Sequence, residues 1–234
     1  MNILSDKCAI SIDVWGDFAM FTPPVSRVER TTYDVPTPSA CRGILNAIYS
    51  KPIEFYYEIT EIEVMKPIRK LVIRKNETKS KCDIRKLSVD DYYIDVNTCH
   101  TQRSNTYLRN VYYRIHANIV KRDDAPANVN IKSLESQFNR RINSGKCFYE
   151  PALGTRECIC YFSKPDMNMV PISESKDLGI MLYDVFDITK NIPLDTRKKT
   201  RNDSTYVTMF HANMLHGKIA VPLWDSDLIL RRSS

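Results

Sequence analysis

The segment from 107 to 120 constrains the fold of this chain most, because its side chains alternate between apolar and polar over many consecutive positions. One parity is mainly apolar, and the other holds four polar groups, namely Tyr112, Arg114, His116 and Asn118. Successive side chains of a β-strand point to opposite faces. The segment therefore predicts a long strand with one buried face and four polar groups together on the other.

Other segments predict further elements around this strand. Residues 8–15 alternate in the same way and predict a first strand that ends at Gly16. Thr37 is a suitable N-cap and Pro38 a suitable first residue for a helix that runs to Tyr49. Its start is also a natural place for a phosphate. Residues 55–65 predict a second strand, and residues 131–142 a second helix that Gly145 ends.

The order strand, helix, strand, excursion, strand, helix is typical of a ferredoxin-like, RNA-recognition-type α+β sandwich. We expect residues 1–145 to form this domain, with a basic insertion at 66–106. Residues 87–106 are predicted to be a loop or an excursion hairpin. Residues 146–234 are rich in strand patterns, with a hairpin turn at His216-Gly217. They predict an antiparallel β-sheet extension at the C-terminal end.

Positive charge is concentrated in one segment. The chain has a net charge of +6. Residues 66–86 contain nine basic and two acidic residues, a net +7, so the rest of the chain is close to neutral. A second basic cluster spans 197–201. Clustered positive charge between two strands favours a polyanionic partner such as nucleic acid.

The seven cysteines have no paired spacing typical of zinc ligands or of a disulfide framework. We interpret them as reduced, mostly buried thiols of a cytoplasmic protein. The N-terminus lacks a signal-peptide pattern, and the apolar runs are too short to span a bilayer. We expect no membrane partner.

Metal catalysis has little support in the sequence. The adjacent carboxylates Asp90-Asp91 and Asp123-Asp124 would point to opposite faces of a strand, and we interpret both pairs as parts of solvated loops. No phosphate-binding loop, metalloprotease helix or nucleophile elbow is present. The sequence predicts no metal site and no cofactor.

Metal-free cleavage of RNA needs only residue types that this chain offers. RNA carries its own nucleophile, the 2′-hydroxyl, so an enzyme supplies a base, an acid and cations. Candidates for the proton-transfer groups are His116, on the polar strand face with Asn118, and Tyr49, at the helix end beside Lys51. Structural roles stay open for both: His116 as a structural or surface histidine, and Tyr49 as a core-edge aromatic with its hydroxyl in water.

Plain RNA binding is the third possibility. Basic residues beside aromatic and polar side chains are expected where a protein contacts phosphates and stacks on bases. The predicted RNA-binding residues are Arg42, Lys51, Arg69, Arg74, Lys75, Asn76, Lys79, Lys81, Arg103 and Arg114.

Several motifs resemble those of a known family, the type I-C (Dvulg subtype) members of the fifth CRISPR-associated protein family. The resemblance covers nearly the whole chain and is most specific in its N-terminal half. It rests on V-W-G-D-F-A-M-F-T at 14–22, V-E-R-T-T-Y-D-V-P-T-P-S-A at 28–40, R-G-I-L-N-A-I-Y-S-K-P at 42–52, V-M-K-P-I at 64–68, I-R-K-N-E-T-K-S-K at 73–81, Q-R-S-N-T-Y-L-R-N-V-Y-Y-R-I-H-A at 102–117, L-G-T-R-E-C at 153–158 and D-L-G-I-M-L-Y-D at 177–184.

The resemblance implies a ferredoxin-like RAMP fold with a C-terminal sheet extension. It implies a protein that caps the 5′ handle of the guide RNA (crRNA) within the Cascade surveillance complex and cuts the precursor repeat RNA without metal. The implied partners are crRNA and precursor repeat RNA, the backbone and large subunits of Cascade, and target DNA through the complex.

The family's proposed active site is a tyrosine at the end of the first helix and a Lys-x-His on a later strand. Tyr49 matches the tyrosine. His116 falls on the lysine position and Asn118 on the histidine position, so the assignment of acid and base is left open. A non-catalytic subunit that binds the 5′ handle is the alternative function. An unrelated metal nuclease is a third, against which the scattered carboxylates argue.

Overall fold

The computed structural model describes residues 7–26, 28–86, 88, 92–190 and 207–231. Within these ranges the strands and helices follow one another as β1 (Lys7–Ala19), α1 (Pro38–Ile48), β2 (Phe55–Val64), β3 (Lys70–Thr78), α2 (Val96–Cys99), β4 (His100–Lys121), α3 (Ile131–Asn143), β5 (Tyr161–Ser163), β6 (Lys176–Asp184), β7 (Thr208–Leu215), β8 (Lys218–Ala220) and β9 (Ile229–Arg231). The basic cluster at 197–201 and the pair Asp90-Asp91 lie outside the described residues.

All the named strands join one antiparallel sheet in the order β5-β1-β4-β2-β8-β7-β6, with β3 pairing β4 and β9 pairing β7. Helices α1 and α3 pack on one face of this sheet, which we call the helix face. The opposite face, called the outer face, carries the polar parity of β4. The predicted α+β class is confirmed.

Strand β4 is the centre of the sheet, as its alternation predicts. Ile115 and Ala117 are buried on the helix face with Ile12 and Ile62. On the outer face, His116 pairs with Ser11 of β1 and with Glu61 of β2. The four predicted polar groups therefore share one face.

Local sequence signals determine the helix ends. Thr37 accepts a hydrogen bond from the backbone N–H of Ala40, and Pro38 is the first helical residue of α1. Gly145 follows α3 with φ of +61°, a conformation that favours glycine. Both predicted helices are confirmed.

The basic insertion forms a long hairpin, which we call the arm: residues 69–81, which include β3, and the part of β4 from His100 to Leu108. The two strands pair from Lys70 opposite Leu108 to Thr78 opposite His100. Within the segment predicted as a loop or an excursion hairpin, residues 100–106 are therefore hairpin strand, while residues 92–95 form a loop that leads into α2. The long strand begins at His100 rather than at Tyr107, because β3 supplies it with a hydrogen-bonding partner.

Two boundaries differ from the predictions. Strand β1 does not end at Gly16 but continues to Ala19. Gly16 lies where the chain packs tightly, since a Cβ there would come within 2.5 Å of the Ile159 carbonyl oxygen. The division at 145/146 stays a prediction, because one continuous sheet joins both parts: β5 pairs β1 and β8 pairs β2.

The turn at His216-Gly217 is confirmed, with φ of +50° and +74° between β7 and β8.

All seven cysteines are described and none is in a disulfide. Only Cys41, Cys158 and Cys160 are buried, so the expectation of mostly buried thiols is wrong. None of the described helices combines the length and the apolar character that a membrane crossing requires.

Candidate functional site

A cluster of polar and charged side chains surrounds the end of α1, and we call it the Tyr49 site: Tyr49, Lys51, Gln137, Arg140 and Arg141. Tyr49 is the C-cap of α1, and its hydroxyl donates to the Gln137 side-chain oxygen of α3 at 2.9 Å. Its ring lies between the rings of Phe55 and Phe148, with centroids 5.4 and 6.3 Å away. The sheet and α3 therefore fix the orientation of the ring.

The charge around the Tyr49 hydroxyl is mainly positive. Burial raises the pKa of Tyr49 above its usual value, while the positive charges of Lys51, Arg141 and Arg140 act to lower it. Glu54 pairs with Lys51 at 2.9 Å and acts in the opposite direction, raising the pKa of Tyr49. Three cations and one carboxylate thus act on the Tyr49 hydroxyl.

Arg141 is held beside the tyrosine. Its guanidinium lies 4.0 Å from the ring centroid of Phe148 and 5.5 Å from that of Tyr49, and it donates to the Ile48 carbonyl oxygen at 3.3 Å. A guanidinium over an aromatic face is attracted by the electrons of the ring. The positive charge is therefore positioned before any ligand arrives.

A tyrosine with a raised pKa is protonated at neutral pH, so it can donate a proton or a hydrogen bond. Cations beside it can stabilise negative charge that develops on a phosphate. The Tyr49 side chain itself is only 2% exposed. The interpretation that placed its hydroxyl in water is therefore wrong, because the residue is buried and the hydroxyl donates to Gln137.

A second cluster lies on the outer face, and we call it the outer-face network: Asp13, Glu61, Glu63, Arg114, His116 and Lys218. His116 Nε2 is 3.9 Å from Glu61 and 3.7 Å from Glu63. Lys218 makes a close ion pair with Glu63 and lies 3.7 Å from Glu61. Lys218 and Arg114 each face a carboxylate in this network, and the His116 ring lies beside two of them.

Arg114 is the buried centre of the network. Its guanidinium donates to both carboxylate oxygens of Asp13 at 2.7 and 3.0 Å, and to the Asp166 carbonyl oxygen at 2.6 Å. Asp13 is fully buried. Such a bidentate pair leaves no charge for an external phosphate.

Glu61, Glu63 and His116 are the group among the described residues whose spacing could hold a metal ion, with ligand atoms within 4.8 Å of one another. Burial acts to raise the pKa of Glu63, but the hydrogen bond from Lys218 and the charges of Lys218, His116 and Arg114 outweigh it and lower the pKa. Lys218 and Arg114 therefore already compensate the negative charge of Glu63 that a metal ion would otherwise balance.

Tyr49 and His116 do not form one site. The Tyr57 hydroxyl donates to the Tyr49 carbonyl oxygen at 2.7 Å from the helix face. His116 and Asn118 have the opposite parity and lie on the outer face. The prediction that Tyr49 acts together with the strand face around His116 is wrong, because the sheet lies between them.

Two predicted phosphate ligands, Arg42 and Arg114, have structural partners instead. Arg42 donates to the buried carboxylate of Asp184 at 2.8 and 2.5 Å. Arg114 is held by Asp13 as described above. Both guanidinium groups are neutralised within the fold, so neither is available for a phosphate.

The arm retains uncompensated charge. Within the described ranges, Arg69, Arg74, Lys79 and Lys81 have no carboxylate within ion-pair distance. Lys75 pairs with Glu157 at 2.5 Å, and Arg103 with Glu77 at 3.4 Å. Asn76 is exposed opposite Gln102. The arm therefore remains a basic surface, although less charged than its composition alone indicates.

Sequence reasoning missed Gln137, Arg140, Arg141 and Phe148. Arg140 and Arg141 lie in the last turn of α3, before Gly145. Basic residues before a glycine are a recognisable sequence signal for cations at a helix C-terminus. Their approach to Tyr49 depends on the packing of α3 beside α1. No local pattern reports that packing.

Comparison with known proteins agrees with these observations. A family model described as CRISPR-associated protein (Cas_Cas5), the Cas_Cas5d model, matches residues 9–222. The chain is 37% identical over 217 residues to a protein of Mannheimia succiniciproducens named CRISPR pre-crRNA endoribonuclease Cas5d, covering 87% of this chain and 96% of the relative. A protein of Thermus thermophilus with the same name is 34% identical over 218 residues, covering 91% of each chain.

A solved structure described as a CRISPR-associated protein superimposes with a TM-score of 0.67 and covers 97% of this chain and 98% of its own. Its sequence identity is 23%, so it supports the fold alone.

Proposed function

This chain belongs to the CRISPR-associated Cas5 family, and we propose that it is an endoribonuclease that cuts CRISPR precursor RNA and remains bound to the 5′ handle of its product. The two relatives named as pre-crRNA endoribonucleases support the activity. The order of β5, β1, β4 and β2, with two helices on one face, supports a ferredoxin-like RAMP core.

The observation that carries the proposal is the excess of positive charge around the Tyr49 hydroxyl. In cleavage by the 2′-hydroxyl, the 2′-oxygen gives its proton to water and forms a bond to phosphorus, while the bond from phosphorus to the 5′-oxygen breaks. Tyr49 would donate the proton that the leaving 5′-oxygen needs. Lys51, Arg140 and Arg141 would stabilise the negative charge on the phosphorane oxygens.

This chemistry needs neither a metal ion nor another cofactor, because the cations come from side chains. It does require that RNA reach the hydroxyl, so the Gln137 amide would give up its hydrogen bond when the substrate binds. Catalytic hydrogen bonds often form only in the substrate complex.

The arm would hold the RNA at a distance from the cut. Ten residues of β4 separate Arg109, at the base of the arm, from Ile119, near Tyr49. At about 3.3 Å per residue this is about 33 Å. A substrate that contacts both regions would extend along much of the sheet.

We place the protein in the cytoplasm. There it would be part of a Cascade complex, together with the backbone and large subunits, and the complex would engage target DNA.

A repeat-RNA cleavage assay in EDTA tests the proposal directly. We expect a single discrete cut by the purified protein, with a 2′,3′-cyclic phosphate on the upstream fragment. A repeat whose 2′-hydroxyl at the cut is replaced by hydrogen serves as the matched control and should stay intact. Activity that EDTA abolishes, or cutting of the control, would contradict the mechanism.

Two observations favour a second function. Tyr49 is buried and hydrogen bonded, and the His116 ring lies beside two carboxylates of a network in which Arg114 and Lys218 are ion-paired. Both facts suit a subunit that binds the 5′ handle without cutting. Tight repeat binding with salt dependence but without cleavage would support that function.

A further inference from the structure

Three aromatic side chains form a row across the outer face that the proposed cleavage chemistry does not use. Trp15 pairs in register with Tyr112 on β4 and with Tyr161 on β5. The three residues share the parity of Asp13 and Arg114, so their rings rise from the outer face. We call them the aromatic row.

The rings of the aromatic row stand face to face. Trp15 and Tyr112 have centroids 5.6 Å apart and planes 12° apart, and Trp15 and Tyr161 have centroids 6.1 Å apart and planes 28° apart. The Tyr112 hydroxyl donates to Asp13 at 3.0 Å, which fixes the end of the row inside the sheet. The stack is therefore ordered by the fold itself.

The other end of the row is open. β5 is the last strand of the sheet, and Tyr161 is 51% exposed. Among the described residues, only Trp15 contacts the Tyr161 ring by stacking. An aromatic ring at the edge of an ordered stack offers a face on which another flat ring can lie.

Positive charge adjoins the row where the arm leaves the sheet. The Lys66 ammonium lies 5.9 Å from the ring centroid of Tyr112 and donates to Asn110 at 2.7 Å. Arg69 and Arg109, with Asp17, Phe18 and Asn110, line a cavity of about 480 Å³ beside it. Asp17 is the one acidic group of that cavity, so positive charge predominates.

We propose that the aromatic row is a stacking platform for unpaired RNA bases, with a base on the outer ring face of Tyr161 and the phosphates beside Lys66, Arg69 and Arg109. This inference rests on the proposed RNA-binding function and adds the segment of RNA that is recognised, namely a single-stranded one. Stacking on aromatics beside a basic groove is the general mode by which proteins bind single strands.

The charge around the row favours RNA over a protein partner. A protein interface is usually depleted of charge at its centre. Here Lys66 lies over the Tyr112 ring, and Arg69 and Arg109 line the adjoining cavity that contains its partner Asn110, so bases with phosphates would use rings and cations together.

Fluorescence tests the platform, because the chain has two tryptophans. In a Trp224→Phe background, Trp15 is the only reporter. The probe is a 12-residue oligouridylate with 2′-O-methyl groups, which cannot be cut because its nucleophile is blocked. A matched abasic oligomer has the same phosphates without bases. We expect the oligouridylate to quench Trp15 and the abasic oligomer to bind more weakly without quenching.

Tyr161→Ala should weaken oligouridylate binding about 5- to 150-fold, which corresponds to the ~1–3 kcal/mol of one stacked base. Tyr161→Phe keeps the ring and should bind within about 2-fold of the parent. Binding of the abasic oligomer should not change in either variant. Leu228→Ala, an exposed apolar substitution in the turn before β9, is the surface control.

Tyr161→Leu keeps apolar contact with Trp15 and tests the proposal even if Tyr161→Ala fails to fold. Unchanged oligouridylate affinity in Tyr161→Leu would overturn the platform, and loss of co-purification with other Cascade subunits at unchanged affinity would instead identify a protein interface. Because the probe cannot be cut, these outcomes do not depend on cleavage. Failure of the repeat assay in EDTA would reject the nuclease and leave the platform standing.

Discussion

The Tyr49 site and the outer-face network lie on opposite faces of one sheet and differ in charge balance. In the network, Arg114, His116 and Lys218 face Asp13, Glu61 and Glu63. At the Tyr49 site, Lys51 pairs with Glu54, while Arg140 and Arg141 have no carboxylate within ion-pair distance among the described residues. A dense group of charges is therefore not itself a sign of a binding site. An excess of one sign is the better indicator, because only uncompensated charge attracts a ligand.

The difference has a physical cause. Charges that a fold buries must be compensated within the fold, since an unpaired buried charge costs several kcal/mol. Asp13 and Arg114 meet this requirement with each other. Cations at the protein surface keep their hydration and are free to exchange water for a phosphate.

The largest effect is expected at Tyr49. Tyr49→Phe removes the hydroxyl and keeps the packing between Phe55 and Phe148. We expect repeat cleavage to fall by about 10²–10⁴-fold, with repeat binding unchanged, in single-turnover assays. The matched control is Tyr149→Phe, which removes the exposed hydroxyl of the residue that follows Phe148 and whose backbone N–H donates to Ala47 of α1. Equal cleavage by Tyr49→Phe and the parent would show that another group donates the proton to the 5′-oxygen.

The buried pair of the network should control stability. Asp13→Ala leaves the Arg114 guanidinium buried without its partner, and we expect the free energy of unfolding to fall by about 3–5 kcal/mol. Urea denaturation measures it. Asp17→Ala, at an exposed position four residues along the same strand, should change it by less than about 0.5 kcal/mol. If Asp13→Ala and Asp17→Ala lowered the free energy of unfolding by similar amounts, Asp13 would not be the required partner of the buried Arg114 charge.

The cations of the arm should set the salt dependence of RNA binding. Each phosphate contact to single-stranded RNA contributes about 0.7 to the slope of log affinity against log salt. Arg74→Ala with Lys79→Ala should therefore lower the slope by about 1.4. The matched control Arg42→Ala should leave the slope unchanged and instead destabilise the fold, since Arg42 pairs with Asp184. A reversed pattern would show that ion pairing within the fold is a poor guide to phosphate contacts.

His116 provides a direct test of the separation between the two faces. His116→Asn removes the imidazole but keeps a polar group of similar reach. Since the sheet separates it from Tyr49, we expect repeat cleavage to fall by less than about 10-fold, well below the range for loss of a general acid or base. A loss of 100-fold or more would assign chemistry to the outer face.

The smallest effect concerns pH. The folded pKa of Glu63 lies below its unfolded value of about 4.3, so its charged form stabilises the fold above that value. This contribution is lost as pH falls through the folded pKa. In urea titrations between pH 7 and pH 3, Glu63→Gln should lose less stability on acidification than the parent. If the free energy of unfolding changed with pH in parallel for Glu63→Gln and the parent, Lys218 and Arg114 would not favour the charged form of Glu63.

Sequence patterns predicted the elements that depend on local order. The alternation around His116 predicted the central strand and its polar face, and Thr37-Pro38 predicted the start of α1. The end of β1 and the start of β4 could not be predicted from the sequence, because a strand ends where its hydrogen-bonding partner strand ends. Of the candidate site, Tyr49 was found from its place at a helix end, while Gln137 and Arg141 were not.

The sequence by itself determined the class of the fold, the family and the basic character of the arm, since periodicity, caps and local charge are written along the chain. Only the tertiary structure decided which charged residues are available. Arg42 and Asp184 are 142 residues apart in sequence, and Arg114 and Asp13 are 101 apart. Whether a cation is neutralised depends on such distant partners, and which groups meet at one site depends on which face of the sheet each one occupies.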